Sequence, residues 1–293
     1  KGTEQNANSK SIAADKVKSI IDEGREITSR DLFKICDDAF GGSQAEGKYD
    51  VRMAYDILEL AVNRHLIENA VKYKAENTGE AITAYRKLAD TISILPTQGS
   101  HRSEKMEQYQ QFSTPPTLAY LMAYLANVKK SDVILEPSAG IGGLVAIPYG
   151  WGATVVVNEL ERERLDTIKN LPFQMVTNYD AEQIHNLLDD HVKPSLVLMN
   201  PPFSTAAERT GNKRDTKNAK RHIEQALLRL EDNGRLIAIV GNGMALDKAT
   251  FKDWWAELSK KYNIRANIGI NGKHYKKYGT TFNIQMVVID KTG

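Results

Sequence analysis

Through its first hundred residues the chain spaces apolar side chains at helical intervals and never alternates them, which predicts helices and no strands. A stripe from Ser11 to Ile21 ends at Gly24. Thr28 and Ser29 cap a second run, which reaches Phe40 and halts at Gly41 and Gly42. Asp50 caps a long third run, with Val51, Tyr55, Leu58, Val62, Leu66 and Ala70 along one side. A fourth follows Thr78 and Gly79 and stops at Pro96. Residues 1–100 therefore read as an all-α domain, a scaffold or partner-docking unit in which no chemistry is legible. A polar linker, Thr97 to Glu107, leads to one more helix, Thr117 to Val128.

Beyond that helix the pattern changes. Short apolar runs follow at Val133–Leu135, Ala153–Val157, Gln174–Thr177, Leu196–Met199, Arg235–Val240, Ile264–Ile270 and Phe282–Ile289. Helix-length amphipathic stretches separate the early ones, the signature of a doubly wound, mostly parallel seven-stranded α/β sheet. The last two runs are joined by a loop too short for a crossover and should pair as a C-terminal antiparallel hairpin. Residues 101–293 are thus expected to form a Rossmann-like domain. Ligands in such sheets bind at the carboxyl ends of the strands, so the residues after each run carry the interest.

Composition sharpens this only in part. Apolar residues are 41% of the 293 and charged residues 26%, enough for packed cores. The 39 Lys and Arg against 37 Asp and Glu leave a net charge of +2, which taken whole speaks against a phosphate-coating protein. Its distribution revises that. Residues 204–222 carry Arg209, Lys213, Arg214, Lys217, Lys220 and Arg221 against only Glu208 and Asp215. The single cysteine, Cys36, excludes internal disulfides and cysteine metal clusters, and its apolar helical setting predicts a buried, inert thiol. No run reaches membrane-spanning length and no secretory signal opens the chain, so a cytoplasmic protein is expected. A start at Lys1 in place of Met predicts a piece of something longer.

The first strand runs into Glu136-Pro137-Ser138-Ala139-Gly140-Ile141-Gly142-Gly143. Glycines at 140 and 142 permit a tight turn and close approach of the backbone to a ligand. Gly143 comes one residue too early for a dinucleotide loop, and the lysine of a phosphate cradle is missing. An acid ahead of the loop repels phosphate and attracts a cationic amino-acid group, such as the methionine portion of S-adenosylmethionine. The other reading is an ordinary glycine-rich turn. Glu159, 19 residues after Gly140, stands where a ribose diol is gripped, or is a solvated acid beside Glu161 and Glu163. Asp180 accepts from an adenine amine, or merely caps the next helix.

The fourth run ends in Met199-Asn200-Pro201-Pro202-Phe203. Two consecutive prolines fix the backbone and remove two donors. The Asn200 side-chain oxygen and the Pro201 carbonyl are then acceptors for one NH₂ group, holding its hydrogens and exposing the nitrogen lone pair. Phe203 offers a face on which a base stacks. A plain Asn-Pro turn is the competing reading.

Taken in order, Gln111-Phe112-Ser113-Thr114-Pro115-Pro116, the acid-and-glycine loop, Glu159, Asp180 and the Asn-Pro-Pro-Phe element resemble the γ-type amino-methyltransferases of DNA, over about residues 108–290. The resemblance implies a class I S-adenosylmethionine-dependent adenine-N6 methyltransferase that releases S-adenosylhomocysteine. It implies that Phe112, Thr114 and Pro115 close over the methionine portion of the cofactor, which Glu136, Pro137, Ser138, Gly140 and Gly142 cradle. It assigns the ribose to Glu159, the cofactor adenine to Asp180, and the target base to Asn200, Pro201, Pro202 and Phe203, with Asn200 bordering the cofactor too. A base inside a duplex must flip out to reach that pocket. The N-terminal helices and Lys277-Tyr278-Gly279-Thr280-Thr281 more faintly resemble phage-type methyltransferase–helicase antirestriction proteins. That likeness implies a helicase domain in a longer chain and a bacterial, phage-encoded or virion setting. The family's usual target-recognition domain is not visible after Asn200.

DNA is expected on the basic segment, Arg209, Lys213, Arg214, Lys217, Lys220 and Arg221, and on the hairpin loop, where Tyr275, Lys276, Lys277 and Tyr278 interleave rings with cations. Each run also reads as a solvated surface. Two alternatives stay open: methylation of an RNA guanine or a protein glutamine, and a non-catalytic methyltransferase-like platform within a larger machine.

Overall fold

The computed structural model describes residues 2–98, 113–202 and 218–292, with side chains from residue 6 onward and, in the third segment, from residue 219. Four helices come first: α1 (Gly2–Asp22), α2 (Ser29–Phe40), α3 (Val51–Asn69) and α4 (Thr78–Ser93). Side-chain caps set their starts. Thr28 and Asp31 form a capping box on α2, the Met53 N–H donates to Asp50 at 2.7 Å, and the Glu80 N–H donates to Asn77 at 3.0 Å. Helix α1 begins well ahead of Ser11, because an apolar stripe marks where a helix is packed and not where it starts.

The remainder comprises α5 (Pro116–Ala126), β1 (Val133–Glu136), α6 (Ala146–Gly150), β2 (Thr154–Asn158), α7 (Arg162–Ile168), β3 (Met175–Thr177), α8 (Ile184–Leu187), β4 (Leu196–Met199), α9 (Asn218–Arg229), β5 (Arg235–Gly241), α10 (Ala249–Ser259), β6 (Asn263–Ile270) and β7 (Ile284–Asp290). One seven-stranded sheet results, in the order β3-β2-β1-β4-β5-β7-β6. The first five strands are parallel. Strand β7 is antiparallel to both neighbours, closing the expected hairpin while inserting between β5 and β6.

Both faces of the sheet are covered, which is why its central strands read as continuous apolar runs. Ile134, Val155, Val157, Leu198, Ile237 and Ile239 point into one core, shared with residues of α1 through α6. Leu135, Val156, Val197, Met199, Leu236 and Val240 point into the other, with α8, α9 and α10.

The N-terminal helices do not enclose a core of their own; theirs continues into the sheet's first face. Helix α3 lies on α6 so closely that a Cβ on Gly150 would stand 2.3 Å from the Ala70 Cβ and 2.5 Å from the Ile67 carbonyl oxygen. Beside it the Trp151 indole donates to the Ala70 carbonyl at 2.8 Å, and Lys10 reaches the Thr167 hydroxyl at 3.0 Å. The boundary expected near residue 100 falls outside the described residues. Cys36 is fully buried, and burial pushes its thiol up to about 12, so it is protonated and unreactive. Among the described residues, no helix is long and apolar enough to cross a membrane.

Candidate active site

The sheet reverses its winding between β1 and β4, so the segments leaving these strands diverge and open a crevice at their carboxyl ends. After β1 the chain turns tightly: the Gly142 N–H donates to the Ala139 carbonyl at 2.7 Å, with Gly140 and Gly142 at φ 56° and 81°. That left-handed backbone favours glycine, and a Cβ on Gly142 would also meet the Phe173 ring at 2.7 Å. After β4 come Asn200, Pro201 and Pro202, and the approach to α5 brings Ser113 and Thr114 opposite them. The Asn200 amide nitrogen donates to the Thr114 hydroxyl at 2.9 Å. Asn158, at the end of β2, ties neighbouring loops together by donating to the Pro137 and Tyr179 carbonyls at 3.0 and 2.9 Å. These segments surround a cavity of about 330 Å³, within the range of small-molecule sites.

The cavity is acidic. Glu136 is 2% exposed, and one of its carboxylate oxygens is buried without a hydrogen-bond partner. Burial pushes its carboxyl well above the usual range, and repulsion from Glu59 and Glu159 adds to the effect. Glu159 accepts the Gly140 and Glu161 N–H groups at 2.7 and 2.8 Å; burial still raises its pKa against those bonds and Arg164. Burial works against the charge of Arg164 as well, but Asp56, Glu59, Glu159 and Glu161 together outweigh it and hold the guanidinium charged. On the far wall His222 lies 3.3 Å from the Ser138 hydroxyl, and burial lowers its pKa to about 4, leaving a neutral imidazole near neutral pH. The arrangement offers carboxyl acceptors to a ligand that carries positive charge.

No known family profile matches the chain. A tRNA (guanine(10)-N2)-dimethyltransferase of Methanothermobacter thermautotrophicus is 25% identical over 170 residues, 56% of this chain and 48% of that protein, so the chain spans about half the length of this curated relative. Among solved structures, a protein provisionally assigned as an RNA methyltransferase from Pyrococcus horikoshii superposes with a TM-score of 0.51 at 16% identity, covering 72% of this chain and all of that one. The modification subunit of a provisionally assigned type I restriction enzyme from Vibrio vulnificus gives 0.52 at 14% identity, covering 82% of this chain and 57% of its own. The fold is the methyltransferase fold. S-adenosylmethionine is the cofactor of the class I enzymes that share it.

Of the residues expected at the site, Thr114, Glu136, Pro137, Ser138, Gly140, Glu159, Asp180, Asn200, Pro201 and Pro202 all line the one cavity. Gly142 shapes its loop from behind, and Pro115 leads into α5. Asp180 does cap the turn that follows it, accepting the Glu182 N–H at 2.9 Å, while also bordering the cavity. Phe112, Phe203, Arg209, Lys213, Arg214 and Lys217 lie outside the described residues. Lys220 stands 6.0 Å over the Trp254 ring, and Arg221 pairs with Glu182 at 3.1 Å on the rim.

The hairpin loop, expected as an open surface, packs against the helical region. Residues Gly272–Tyr278 fold as a 3₁₀ turn against the helical region. Tyr275 is 2% exposed, and Tyr278 is half-buried. The Lys277 ammonium donates to the carbonyls of Ile92, Ser93 and Leu95 at 3.0, 2.7 and 2.8 Å. The carbonyls at the end of α4 draw a lysine, and the tyrosine rings gain more from burial than from water. Of the four loop residues only Lys276 stays exposed.

The first hundred residues, in which no chemistry was legible, contribute Glu59 to the lining of the cavity. Helix α3 presents Arg52, Asp56, Glu59 and Asn63 toward the methyltransferase sheet. Asn63 donates to the Ile141 carbonyl at 2.8 Å, Arg52 forks onto Glu161, and Arg164 lies 3.5 Å from Asp56. Their spacing puts them on one helical face, a polar stripe parallel to the apolar one. That stripe was the available signal, and it reads as a solvated face until the partner surface is known.

Proposed function

We propose that this chain is an S-adenosylmethionine-dependent methyltransferase acting on the exocyclic amine of a nucleobase, with the N6 amine of adenine in DNA as its target. The observation that carries the reading is the Asn200–Thr114 hydrogen bond in the lining of a cavity that also holds the buried, partnerless Glu136 oxygen. The orphaned carboxylate tests the fit of the cofactor. It suits the ammonium of a methionine moiety, whereas a dinucleotide would bring phosphates against Glu136 and Glu159. Glu136 and the glycine loop would hold the methionine portion, Glu159 the ribose and Asp180 the adenine.

The bound cofactor supplies a methyl group on a sulfonium whose leaving group departs neutral. Little acid–base catalysis is therefore asked of the protein, and the neutral His222 is consistent with that. The chain's own task is alignment. Asn200, oriented by Thr114, and the proline-fixed backbone after it direct acceptors at the hydrogens of the target amine, so that its lone pair faces the methyl group. A duplex base reaches this position only by leaving the stack.

The Ser113-Thr114-Pro115 element and the six cations between residues 204 and 222 support DNA. A second reading, transfer to the N2 amine of an RNA guanine, is favoured by the 170-residue similarity to a tRNA methyltransferase. Incubation with tritium-labelled cofactor and either DNA or tRNA, followed by nucleoside analysis, separates them. N6-methyladenine from DNA is the expected product. N2-methylguanine from tRNA transfers the assignment to the second reading. Failure of both, with no calorimetric binding of S-adenosylhomocysteine, leaves a non-catalytic platform.

A further inference from the structure

The helical region meets the cavity at one ionisable side chain that none of the assigned roles uses. Glu59 sits on α3 between Asp56 and Asn63, and its two oxygens face different parts of the methyltransferase sheet. One accepts the Ser113 hydroxyl at 2.6 Å; the other would lie 3.4 Å from a Cβ placed on Gly143 of the glycine loop. Glu59 borders the 330 Å³ cavity and also a smaller, more apolar space of about 50 Å³ behind it, lined by Tyr55, Leu58 and Tyr278. Glu59 and Glu136 line the same cavity, and the Glu59 charge adds to the rise of the Glu136 carboxyl.

This juxtaposition is costly. Two carboxylates share a partly buried wall with one guanidinium, Arg164, which Asp56 and Glu161 also claim. The Glu136 oxygen, in a side chain 98% buried, has no donor at all. Buried like charges and orphaned acceptors of this kind persist where a ligand supplies the missing donors. A primary ammonium offers three N–H donors and a full positive charge, more than one carboxylate oxygen can use.

We propose that Glu59 is a cofactor-binding residue: together with Glu136 it receives the ammonium group of the methionine moiety, so that the N-terminal helical region supplies one wall of the cofactor site. The inference rests on the cofactor reading above and adds to it a residue from outside the methyltransferase sheet. It explains why α3 is held so firmly, by Asn63 on the glycine loop, by Arg52 on Glu161 and by the absence of a side chain at Gly150.

Calorimetric titration of the intact chain with two ligands tests this. S-adenosylhomocysteine carries the amino-acid moiety; 5′-methylthioadenosine lacks it. Glu59→Gln keeps the size of the side chain and an acceptor for Ser113, and it should weaken S-adenosylhomocysteine by at least about tenfold, as expected for a charge-assisted bond, while leaving 5′-methylthioadenosine within about twofold. Glu59→Asp, which withdraws the charge by one methylene, should show the same selective loss. Retained 5′-methylthioadenosine binding certifies that each variant is folded. Equal affinity of wild type and both variants for S-adenosylhomocysteine would overturn the assignment of Glu59 and leave the cofactor reading standing. If the wild type binds neither ligand, the cofactor reading itself fails and this inference falls with it.

Discussion

Thr114→Val isolates the hydrogen bond on which the proposed alignment depends. Valine matches threonine in shape, and Thr114 is 8% exposed, so packing is preserved while the acceptor for the Asn200 amide at 2.9 Å disappears. A neutral hydrogen bond contributes about 0.5–1.5 kcal/mol, and a donor left unsatisfied costs about 1–3 kcal/mol. Asn200 is only half-buried, so water compensates in part, and a loss of about 1.5–3 kcal/mol in transition-state alignment is the expected range. At about 1.4 kcal/mol per tenfold, kcat/KM should fall by about tenfold to a hundredfold. Thr114→Ser, which keeps the hydroxyl, should restore most of it. The decisive measurement is the double-mutant cycle in a tritium-transfer assay on the preferred nucleic acid. If Thr114 acts through Asn200, then Thr114→Val added to Asn200→Ala costs almost nothing further. Fully additive losses, or a Thr114→Val enzyme of wild-type rate, would refute the positioning role.

Other expectations follow from the same geometry. Gly150→Ala drives a methyl group into Ala70 and the Ile67 carbonyl, an overpacking cost of about 1–3 kcal/mol that should lower Tm by about 2–10 °C in scanning calorimetry; an unchanged Tm would mean the helices are not docked as described. Glu59 is pushed up to about 7 by burial, against the opposing pull of Arg164 and Ser113, with Asp56 from the same helix adding to the rise and Glu136 facing it from β1. An ammonium ligand selects the ionised acid, so S-adenosylhomocysteine affinity should climb as pH rises through about 7, and Glu59→Gln should flatten that rise. For the ligand-free chain the sign is opposite: a carboxyl raised from 4.5 contributes stability below that value and loses it as pH rises through about 7, so the apo Tm should decline across that window. A Tm that rises instead would place the group elsewhere. Lys277→Met removes the donor to three carbonyls at the end of α4 and should lower Tm while leaving the salt dependence of nucleic-acid binding unchanged. Exchanging Arg209, Lys213, Arg214 and Lys217 for Gln should instead flatten that dependence, and the reverse pattern in filter-binding titrations would return the hairpin loop to the nucleic-acid surface.

Much of the sheet was legible because its strands are buried on both faces and announce themselves as short apolar runs bounded by Gly, Pro and Asn. All seven runs became strands with boundaries moved by no more than two residues. The cavity was legible for a related reason: in a doubly wound sheet, ligand-facing residues must follow strand ends, so Glu136, Glu159, Asp180 and Asn200 could be picked out by position before any geometry was known. The packing of the hairpin loop was not legible because cations alternating with tyrosines describe an open surface and a docked loop equally well. What decides is the neighbour, here the carbonyls at the end of α4, and a neighbour 184 residues away in sequence leaves no mark on the loop itself.

Glu59 was invisible for the same reason. Along α3 the apolar stripe from Val51 to Ala70 accounts for packing, so the polar stripe Arg52-Asp56-Glu59-Asn63 has no local pattern that distinguishes it from a wet face. Yet Asp56 and Asn63 are buried and Glu59 is half so. A polar stripe costs free energy when it is covered, unless the covering surface offers matching partners. The partners here are Arg164, Glu161 and the Ile141 carbonyl, all within or beside the segments that shape the cavity. A helical region that only decorated the methyltransferase fold could have docked without buried charge, as the close approach at Gly150 and the Trp151 indole bond to the Ala70 carbonyl show. Spending buried charge at the glycine loop makes sense if the two parts of the chain must come together for the cofactor pocket to be complete. Severing or displacing α3 should then abolish cofactor binding while leaving the sheet's own strand-end residues intact.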